Sequence, residues 1–452
     1  MRTDEEPLMD DQHEGRGDGD RRARAGGPQD LREPGRWEAG LRLGTRGSRL
    51  ALTQSEQVAR ALEGAGGPPI SMVTVRTRGD GDRTPLRDLG GVGVFAARLR
   101  LALLGGEVDL AVHSCKDLPS APAEGLEIIC TPAREDARDA LCARDGLGLE
   151  ELPPGARVGT GSPRRAAQLL GLRSDLEVVD LRGNVPTRLA RVRGMAGALG
   201  VGRDEPVAPA VRDAEGDLDA VVLAMAGLER LGLGHCVTQV LGVEEMLPAP
   251  AQGALALEAR AGALQDCPAL GRAAARLEDA ATRLAVTAER ALMAALGAGC
   301  AAPLGAWGRV VEVDAQAPGH GPIPGSAAGD AAGGGARGAQ GPQGRGAAGS
   351  VRLLELRAVV CTPDGRRRVA CTERVALGPA GPHGQGRALH PAGRHDAAGG
   401  QAPGHDRGAA RLPASQPDLA AAQELGARAA AVLLEGGAGR IVDLRAGRPG
   451  RR

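Results

Sequence analysis

The segment GVFAARLRLALLGGEVDLAVHSCKDLP, residues 93–119, joins a helical pattern to a short apolar strand. Phe95, Leu99 and Leu103 recur at i, i+4 and i+8, which predicts one apolar helix face. The strand pattern VDLAVHS follows, and the polar run His113–Asp117 overlaps its carboxyl end. This order is typical of βα units with a largely parallel sheet, in which ligands bind beyond the carboxyl ends of the strands.

The same alternation extends in both directions along the chain. The strand patterns LRLGTR and ISMVTV precede the segment, and ARVGT, LEVVDLRG and LDAVVLA follow it, each beside a helical pattern. From about Leu264, two helical runs lead to a glycine-rich segment and then to a hairpin around Pro363-Asp364-Gly365. The predicted fold class is α/β, with two α/β lobes and a smaller C-terminal α+β domain.

Changes in composition predict the domain boundaries. Residues 1–40 are predicted to be a disordered tail, 41–135 with about 246–260 the first lobe, 136–245 the second lobe, and 261–452 the third domain. Three glycine-rich stretches interrupt this plan. They are predicted to be a loop insertion at about 195–215 and flexible insertions at about 315–349 and 378–415.

The composition argues against several classes of protein. The 452 residues include 56 basic and 56 acidic side chains, one Phe, no Tyr and two Trp. So few aromatic rings disfavour a base-stacking surface for nucleic acid, and no segment is apolar enough to cross a membrane. Eight cysteines without a CxxC pair indicate reduced thiols. We therefore expect a cytoplasmic protein that binds neither nucleic acid nor membrane.

Four polar turns at predicted strand ends carry candidate anion-binding groups. They combine cationic side chains with hydroxyls or helix N-termini, an arrangement that suits carboxylates. A solvated side chain is the alternative for any one turn of this arginine-rich chain, but four together indicate a polyanion cleft between two domains. The candidates are Arg46, Ser48, Ser114, Lys116, Thr160, Ser162, Arg164, Arg165, Arg182 and Arg188.

Two further residues are candidates for chemistry. Asp117, next to the single lysine of the chain, is suited to acid–base work beside an anion, with a helix or turn cap as the alternative. Cys300 lies in GAGCAAPLG, where the flanking glycines and Pro303 indicate a loop, so it is the best candidate for a nucleophilic or modified thiol. Four histidines, at 383, 390, 395 and 405, are irregularly spaced and have no paired cysteines, so biased composition is favoured and no metal is predicted.

Seven ordered stretches resemble the porphobilinogen deaminase (hydroxymethylbilane synthase) family. They are TRGSRLAL, the opening segment, VGTGSPRRAAQL, LRGNVPTR, LAMAGLERLG, LPAPAQGALALEAR and GAGCAAPLG. The resemblance covers about residues 41–308 and resumes weakly in the hairpin and the last helix. It implies two lobes like those of a periplasmic binding protein, an active cleft between them, and a third domain that carries a covalent dipyrromethane cofactor on Cys300.

The resemblance also implies a reaction and residue roles. The family is a transferase that condenses four porphobilinogen molecules head to tail with loss of ammonia, so porphobilinogen and its oligomers are the expected partners of a monomeric enzyme. Asp117 matches the catalytic aspartate. Lys116, Ser114, Arg164, Arg165, Thr160 and Ser162 are expected to bind the cofactor, and Arg46, Ser48, Arg182, Arg188 and Phe95 the substrate. Helix packing is the alternative for Phe95.

The chain departs from the family pattern in one loop. Many members have lysines at the positions of Val92 and Asp88, and Arg83, Arg87 or Arg98 are candidate substitutes. Two alternatives to the enzyme stay open, the second of them because of these missing lysines. One is a non-catalytic two-lobed protein that binds an organic anion or pyrrole, although such a protein has no need for a loop cysteine in a third domain. The other is a degenerate homologue that binds pyrroles without turnover.

Overall fold

The computed structural model describes residues 40–75, 94–199, 216–299, 301–314, 350–378 and 414–445. Several predictions fall outside these ranges. They concern the N-terminal tail, the insertion at 315–349, most of those at 195–215 and 378–415, and Cys300, Arg83, Arg87, Asp88 and Val92.

The elements alternate between strands and helices through both lobes. The first group is β1 (Leu41–Thr45), α1 (Arg49–Gly64), β2 (Ile70–Thr74), α2 (Val94–Leu104), β3 (Leu110–Ser114) and β4 (Leu126–Cys130). The second is β5 (Asp139–Ala143), β6 (Arg157–Gly159), α3 (Pro163–Leu172), β7 (Glu177–Val179), α4 (Val185–Leu189), β8 (Ala220–Ala224), α5 (Met225–Arg230) and β9 (Gln239–Leu241). The remainder is β10 (Leu255–Arg260), α6 (Ala263–Asp266), α7 (Pro268–Leu277), α8 (Ala280–Leu296), β11 (Leu304–Asp314), β12 (Ser350–Cys361), β13 (Arg368–Ala376), α9 (Gln416–Glu435) and α10 (Ala438–Ile441).

Two five-stranded sheets of matching design form the lobes. Their strand orders are β2-β1-β3-β10-β4 and β7-β6-β8-β5-β9. In the first, β1 is parallel to β2 and β3, whereas β10 runs antiparallel to β3 and β4. In the second, β6 is parallel to β7 and β8, whereas β5 runs antiparallel to β8 and β9. Each sheet therefore has one antiparallel strand, β5 or β10, which the chain enters directly after crossing from the other lobe. The first crossing is residues 131–138, between β4 and β5, and the second crossing is residues 242–254, between β9 and β10.

The third domain packs helices on an antiparallel sheet. Its strand order is β11-β12-β13, and β12 and β13 are the predicted hairpin. The core between this sheet and the helices α8 and α9 includes Leu292, Leu354 and Leu425. The two helices meet closely at Gly426, where an added Cβ would lie 2.3 Å from the Ala288 carbonyl oxygen. The predicted fold class is confirmed, but β11 was not anticipated, because a glycine-rich segment runs into its start.

One carboxylate joins the third domain to both chain crossings. Glu289 of α8 is fully buried. It accepts hydrogen bonds from Arg134 Nη1 at 2.6 Å and Nη2 at 3.1 Å in the first crossing, and from the Ala251 N–H in the second. It also accepts one from the Gly308 N–H of β11 at 2.7 Å. With four donors, this buried charge is well compensated.

Removing Glu289 should therefore destabilise the whole protein. We expect Glu289→Ala to lower the free energy of unfolding by about 3–5 kcal/mol, because Arg134 becomes an unpaired buried charge. Urea denaturation followed by circular dichroism measures the change. Glu424→Ala on the exposed side of α9 is the control and should shift stability by less than about 0.5 kcal/mol. Equal midpoints for the two variants would contradict the role given to Glu289.

Candidate active site

Parallel pairing brings the predicted polar turns to two sheet edges. Since β1 and β3 are parallel, Arg46 and the residues after β3 lie at one edge of the first sheet. Since β6 is parallel to β7, Ser162 and Arg182 lie at the corresponding edge of the second. Lys116 at the first edge donates to Gln252, which in turn donates to Asp139 of the second lobe. The structure therefore brings groups of both lobes together.

The turn after β3 is held from three sides. Cys115–Asp117 forms one 3-10 turn, in which the Cys115 N–H donates to the Ala254 carbonyl oxygen at 3.0 Å. Ser114 Oγ donates to Gln54 Oε1 at 3.1 Å, and Lys116 Nζ donates to Gln252 Oε1 at 3.3 Å. The Asp117 side chain is left exposed at the end of this fixed turn.

The Arg290 side chain of α8 fixes the chain just beyond that turn. Its Nη1 donates to the Leu118 carbonyl oxygen at 3.2 Å and its Nη2 to the Pro119 carbonyl oxygen at 2.6 Å. A guanidinium group of the third domain therefore holds the segment that follows Asp117 in the first lobe.

The start of α3 turns two arginines into the interior. Ser162 is the N-cap, with its Oγ accepting from the Arg165 N–H at 3.4 Å, and Pro163 is the first helical residue. Thr160 Oγ1 accepts from the Ser162 N–H at 3.2 Å. Arg164 and Arg165 are consequently buried. Ser162 thus has a structural role as a cap, which leaves its hydroxyl hydrogen available to a ligand.

Both arginines share a protein carboxylate that sequence reasoning missed. Arg164 Nη1 donates to Asp139 Oδ2 at 2.6 Å, and Arg165 donates to Asp139 Oδ1 from Nε at 3.0 Å and from Nη2 at 2.8 Å. Arg164 Nη1 also donates to the Leu247 carbonyl oxygen at 2.7 Å. Burial acts to raise the pKa of Asp139, but the two guanidinium groups outweigh it and hold that pKa below its usual range. Two cations share one anion, so one positive charge remains in excess.

Burial, together with these positive charges, lowers the pKa of one neighbouring cation in each lobe. Burial and the charges of Arg165 and Arg164 lower the pKa of Lys116 to about 8, against the opposing effects of Asp117 and Asp139.

On the second lobe, burial and the charges of Arg165 and Arg182 lower the pKa of Arg188 to about 10, against Asp180. Arg188 Nε donates to the Gly183 carbonyl oxygen at 2.7 Å, and Arg182 lies 4.0 Å from Asp180.

The buried Nε atoms of Arg164 and Arg182 have no hydrogen-bond partner among the described residues. This donor set, with its surplus of positive charge, fits a ligand that carries several carboxylates.

Some predicted residues are not joined to this network by the described contacts. Ser48 caps α1, with its Oγ accepting from the Ala51 N–H at 3.3 Å. Phe95 lies in α2, but its side chain is outside the described part of the structure. Arg98, a candidate substitute for a loop lysine, forms an exposed ion pair with Glu107 at 3.1 Å.

The segment before Cys300 is described, although Cys300 itself is not. Asp279 caps the start of α8, with its Oδ1 accepting from the Thr282 N–H at 2.8 Å. The helix ends at Gly297, whose φ of 64° lies in the left-handed region that favours glycine. Beyond it, the Ala302 N–H donates to the Gly299 carbonyl oxygen at 3.0 Å.

Two more residues near the cleft were not selected from the sequence. Gln252 lies in LPAPAQG and is buried, with its Nε2 donating to Asp139 Oδ1 at 2.8 Å. Arg230 donates from Nη2 to the Gly253 carbonyl oxygen at 2.9 Å, while its buried Nε has no hydrogen-bond partner within the described ranges. Both lie in stretches that carry the family resemblance, which was the available signal.

Two kinds of feature are absent from the described residues. No group of three or more His, Cys, Asp or Glu side chains there is arranged to hold a metal ion. None of the helices in the described ranges combines the length and the apolar character needed to cross a membrane.

Comparison with known proteins gives a consistent result. A family model described as porphobilinogen deaminase, dipyromethane cofactor binding domain, matches residues 41–266, half of the chain, and one for the C-terminal domain matches residues 283–316. Among solved structures, a periplasmic substrate-binding protein from Coxiella burnetii is 15% identical, with a TM-score of 0.31 over 52% of this chain and 90% of that chain. The fold class follows from the sheet topology of the two lobes and the third domain.

Curated relatives agree with the family model. Porphobilinogen deaminase from Micrococcus luteus is 57% identical over 289 residues, covering 62% of this chain and 75% of that protein. The enzyme of the same name from Cutibacterium acnes is 52% identical over 276 residues, covering 61% of this chain and 79% of that protein. With sheets, polar turns and sequence in agreement, the chain belongs to the porphobilinogen deaminase family.

Proposed function

We propose that this chain performs the porphobilinogen deaminase reaction with Asp117 as its catalytic carboxylate and Cys300 as the attachment point of the dipyrromethane. The reaction condenses four porphobilinogen molecules head to tail, with loss of one ammonia from each. Water then cleaves the bond between the new chain and the cofactor, which releases the linear tetrapyrrole hydroxymethylbilane. The observation that supports these roles is geometric. Arg164 and Arg165 of the second lobe are buried and share the Asp139 carboxylate, and Gln252 joins that carboxylate to Lys116 of the first lobe.

The cation surplus suits the substrate. The pyrrole ring of porphobilinogen carries an acetate and a propionate, so a chain of such rings gains two carboxylates with each substrate added. Charge-assisted hydrogen bonds to such groups contribute about 1.5–3 kcal/mol each. Arg46, Ser48, Arg182, Arg188 and Phe95 are proposed for the substrate.

The cofactor is proposed to bind where the cations of both lobes meet. When bound, the dipyrromethane supplies the free pyrrole carbon to which the first substrate is joined. The proposed contacts are Lys116, Ser114, Thr160, Ser162, Arg164 and Arg165. Arg164 offers a buried Nε without a hydrogen-bond partner in the described residues, and Ser162 keeps a free hydroxyl hydrogen, so this donor set fits carboxylates.

Asp117 is suited to the charge changes of the substrate. Loss of ammonia from the aminomethyl group leaves a cation on the pyrrole, and a carboxylate beside it lowers the barrier. In its acid form, Asp117 can instead give a proton to the departing amine. The 3-10 turn and Arg290 fix the backbone on both sides of this side chain, so its carboxyl group is positioned before the substrate arrives.

The localisation, oligomeric state and domain boundaries of the enzyme are also proposed. We propose a cytoplasmic monomer that binds neither nucleic acid nor membrane, which is supported by the balanced charge and the absence of a CxxC pair. We also propose the predicted domain boundaries, with residues 246–260 returning to the first lobe. The pairing of β10 with β3 and β4 supports that return.

The attachment at Cys300 gives the test that separates the enzyme from a non-catalytic anion-binding protein. Intact-protein mass spectrometry should find wild type heavier than its sequence by one dipyrromethane, and Cys300→Ser at its sequence mass without turnover. Cys361→Ser, which alters a buried cysteine of β12, is the control and should retain the adduct. An unmodified wild type that nevertheless turns over would contradict the proposal. An adduct without turnover would indicate the degenerate homologue.

Asp117→Ala should leave the fold intact and lower turnover by roughly a hundredfold or more, because it removes the group that stabilises the transient cation. Steady-state rates with porphobilinogen and the thermal midpoint would be measured together. Glu56→Ala, which removes an exposed carboxylate of α1, should change neither quantity appreciably. Near-normal turnover of the Asp117 variant would refute the catalytic role.

The pKa of Lys116 should change when carboxylates bind in the cleft. In Cys300→Ser its pKa should lie near the value of about 8 set by burial and the two arginines, so its charge is present below that pH and lost above it. In wild type the cofactor carboxylates should raise that pKa. Biosynthetic labelling with [ε-¹³C]lysine gives a single resonance to titrate, because the chain has one lysine. Identical titrations would place the cofactor away from Lys116.

A further inference from the structure

Gln252 is a buried amide at which both lobes meet. Its side chain is almost fully buried, at 1% exposure. Its Nε2 donates to the Ala137 carbonyl oxygen and to Asp139 Oδ1, both at 2.8 Å, and its Oε1 accepts from Lys116 Nζ at 3.3 Å. One amide therefore links the lysine of the first lobe to the carboxylate that holds the two arginines of the second.

The backbone around Gln252 is fixed in an uncommon shape. Ala251 has a φ of 61° and Gly253 a φ of 86°, so left-handed residues flank it on both sides. For a residue with a side chain, such as Ala251, this conformation is uncommon and persists where the surroundings impose it.

Charged groups from three other elements impose this conformation. Glu289 accepts from the Ala251 N–H. Arg134 Nε donates to the Gln252 carbonyl oxygen at 2.7 Å, and Arg230 Nη2 donates to the Gly253 carbonyl oxygen at 2.9 Å. The direction in which the Gln252 side chain leaves the backbone is therefore set by the first crossing, by α5 and by α8.

The chemistry of the two partners determines which end of the amide faces which. The Asp139 carboxylate only accepts hydrogen bonds and the Lys116 ammonium only donates them. The NH₂ group must then face Asp139 and the oxygen must face Lys116. Glutamate would lack the donor and lysine would lack the acceptor, so an uncharged amide is the group that satisfies both partners.

We propose that Gln252 is a positioning residue, which holds the Lys116 ammonium beside the arginines of the second lobe so that all three cations face one ligand. The inference rests on the proposed function, since it concerns the same cleft. Gln252 acts through Lys116 and Asp139, and its burial keeps it from contacting the substrate. The charged groups that act on Lys116 in this position are Asp117, Asp139, Arg164 and Arg165.

Two substitutions should shift the pKa of Lys116 in opposite directions. Gln252→Glu places a carboxylate against the ammonium, which favours its charged form and draws it away from the ligand. Gln252→Met removes the acceptor without adding charge, so the charged form loses a partner. We therefore expect the pKa of Lys116 to rise in the first variant and to fall in the second.

The titration of [ε-¹³C]lysine in the purified, cofactor-bearing protein tests this directly, since each variant gives one resonance. Steady-state rates with porphobilinogen are measured in parallel. We expect kcat/KM to fall by about tenfold in both variants, chiefly through a higher KM, because Lys116 is displaced from the ligand carboxylates while Asp117 is untouched. Gln239→Met is the control. It loses an amide oxygen that accepts from the Leu149 N–H at 2.7 Å, and it should leave the lysine titration unchanged.

The titration also distinguishes a positioning role of Gln252 from a purely structural role. If Lys116 titrates alike in wild type, Gln252→Glu and Gln252→Met, the proposal is overturned, even where activity falls. Should Gln252→Glu fail to fold, Gln252→Met decides alone, because it buries no new charge. A wild type without turnover would overturn the proposed function, whereas the lysine titration would still decide the role of Gln252.

Discussion

The burial of the Asp139 carboxylate between two guanidinium groups is the interaction on which the cleft depends. Neither adjacent arginine could remain charged in the interior without a partner, because an isolated buried charge is costly. Asp139 compensates one positive charge and leaves the other in excess. The same contact therefore stabilises the start of α3 and leaves a positive charge that suits the proposed polycarboxylate ligand. In that proposal, structural and binding roles are not alternatives for Arg164 and Arg165, since one ion-pair network would supply both.

The third domain contacts both lobes, and this determines where its cysteine loop begins. Through Glu289 and Arg290, α8 is bonded to the chain crossings and to the segment after Asp117. On the other side, the hairpin turn packs against α3, where an added Cβ on Gly365 would lie 2.3 Å from the Gly171 backbone nitrogen. The helix that precedes Gly297 is thus held against the turn that carries Lys116 and Asp117, and the hairpin of the same domain is held against α3, which carries Arg164 and Arg165.

Local patterns predicted the elements whose signals are local. The helix periodicity around Leu99 and the strand ends before Arg46 and Thr160 were visible, because side-chain spacing and turn residues report on neighbouring backbone. The strands β5 and β10 were not predicted, since they are almost entirely buried, which removes the alternation of apolar and polar residues, and they pair only with distant segments. Because β5 was not predicted, its first residue, Asp139, was not recognised as part of the site. Arg164 and Arg165 were predicted as ligand-binding groups, but the carboxylate between them is a tertiary contact that spacing does not encode.

The choice of cations determines how the cleft responds to pH. The chain has 56 basic residues, of which a single one is lysine, and guanidinium groups keep their charge throughout the physiological range. Most of the positive potential that acts on the ligand carboxylates is therefore independent of pH. The exception is Lys116, whose pKa of about 8 in the ligand-free protein puts its change of charge just above neutrality, next to Asp117. Under the proposed function, bound carboxylates would raise this pKa, so the loaded cleft would keep its positive charge across the physiological range. Titration among its cations would then be confined to the one beside the candidate catalytic acid.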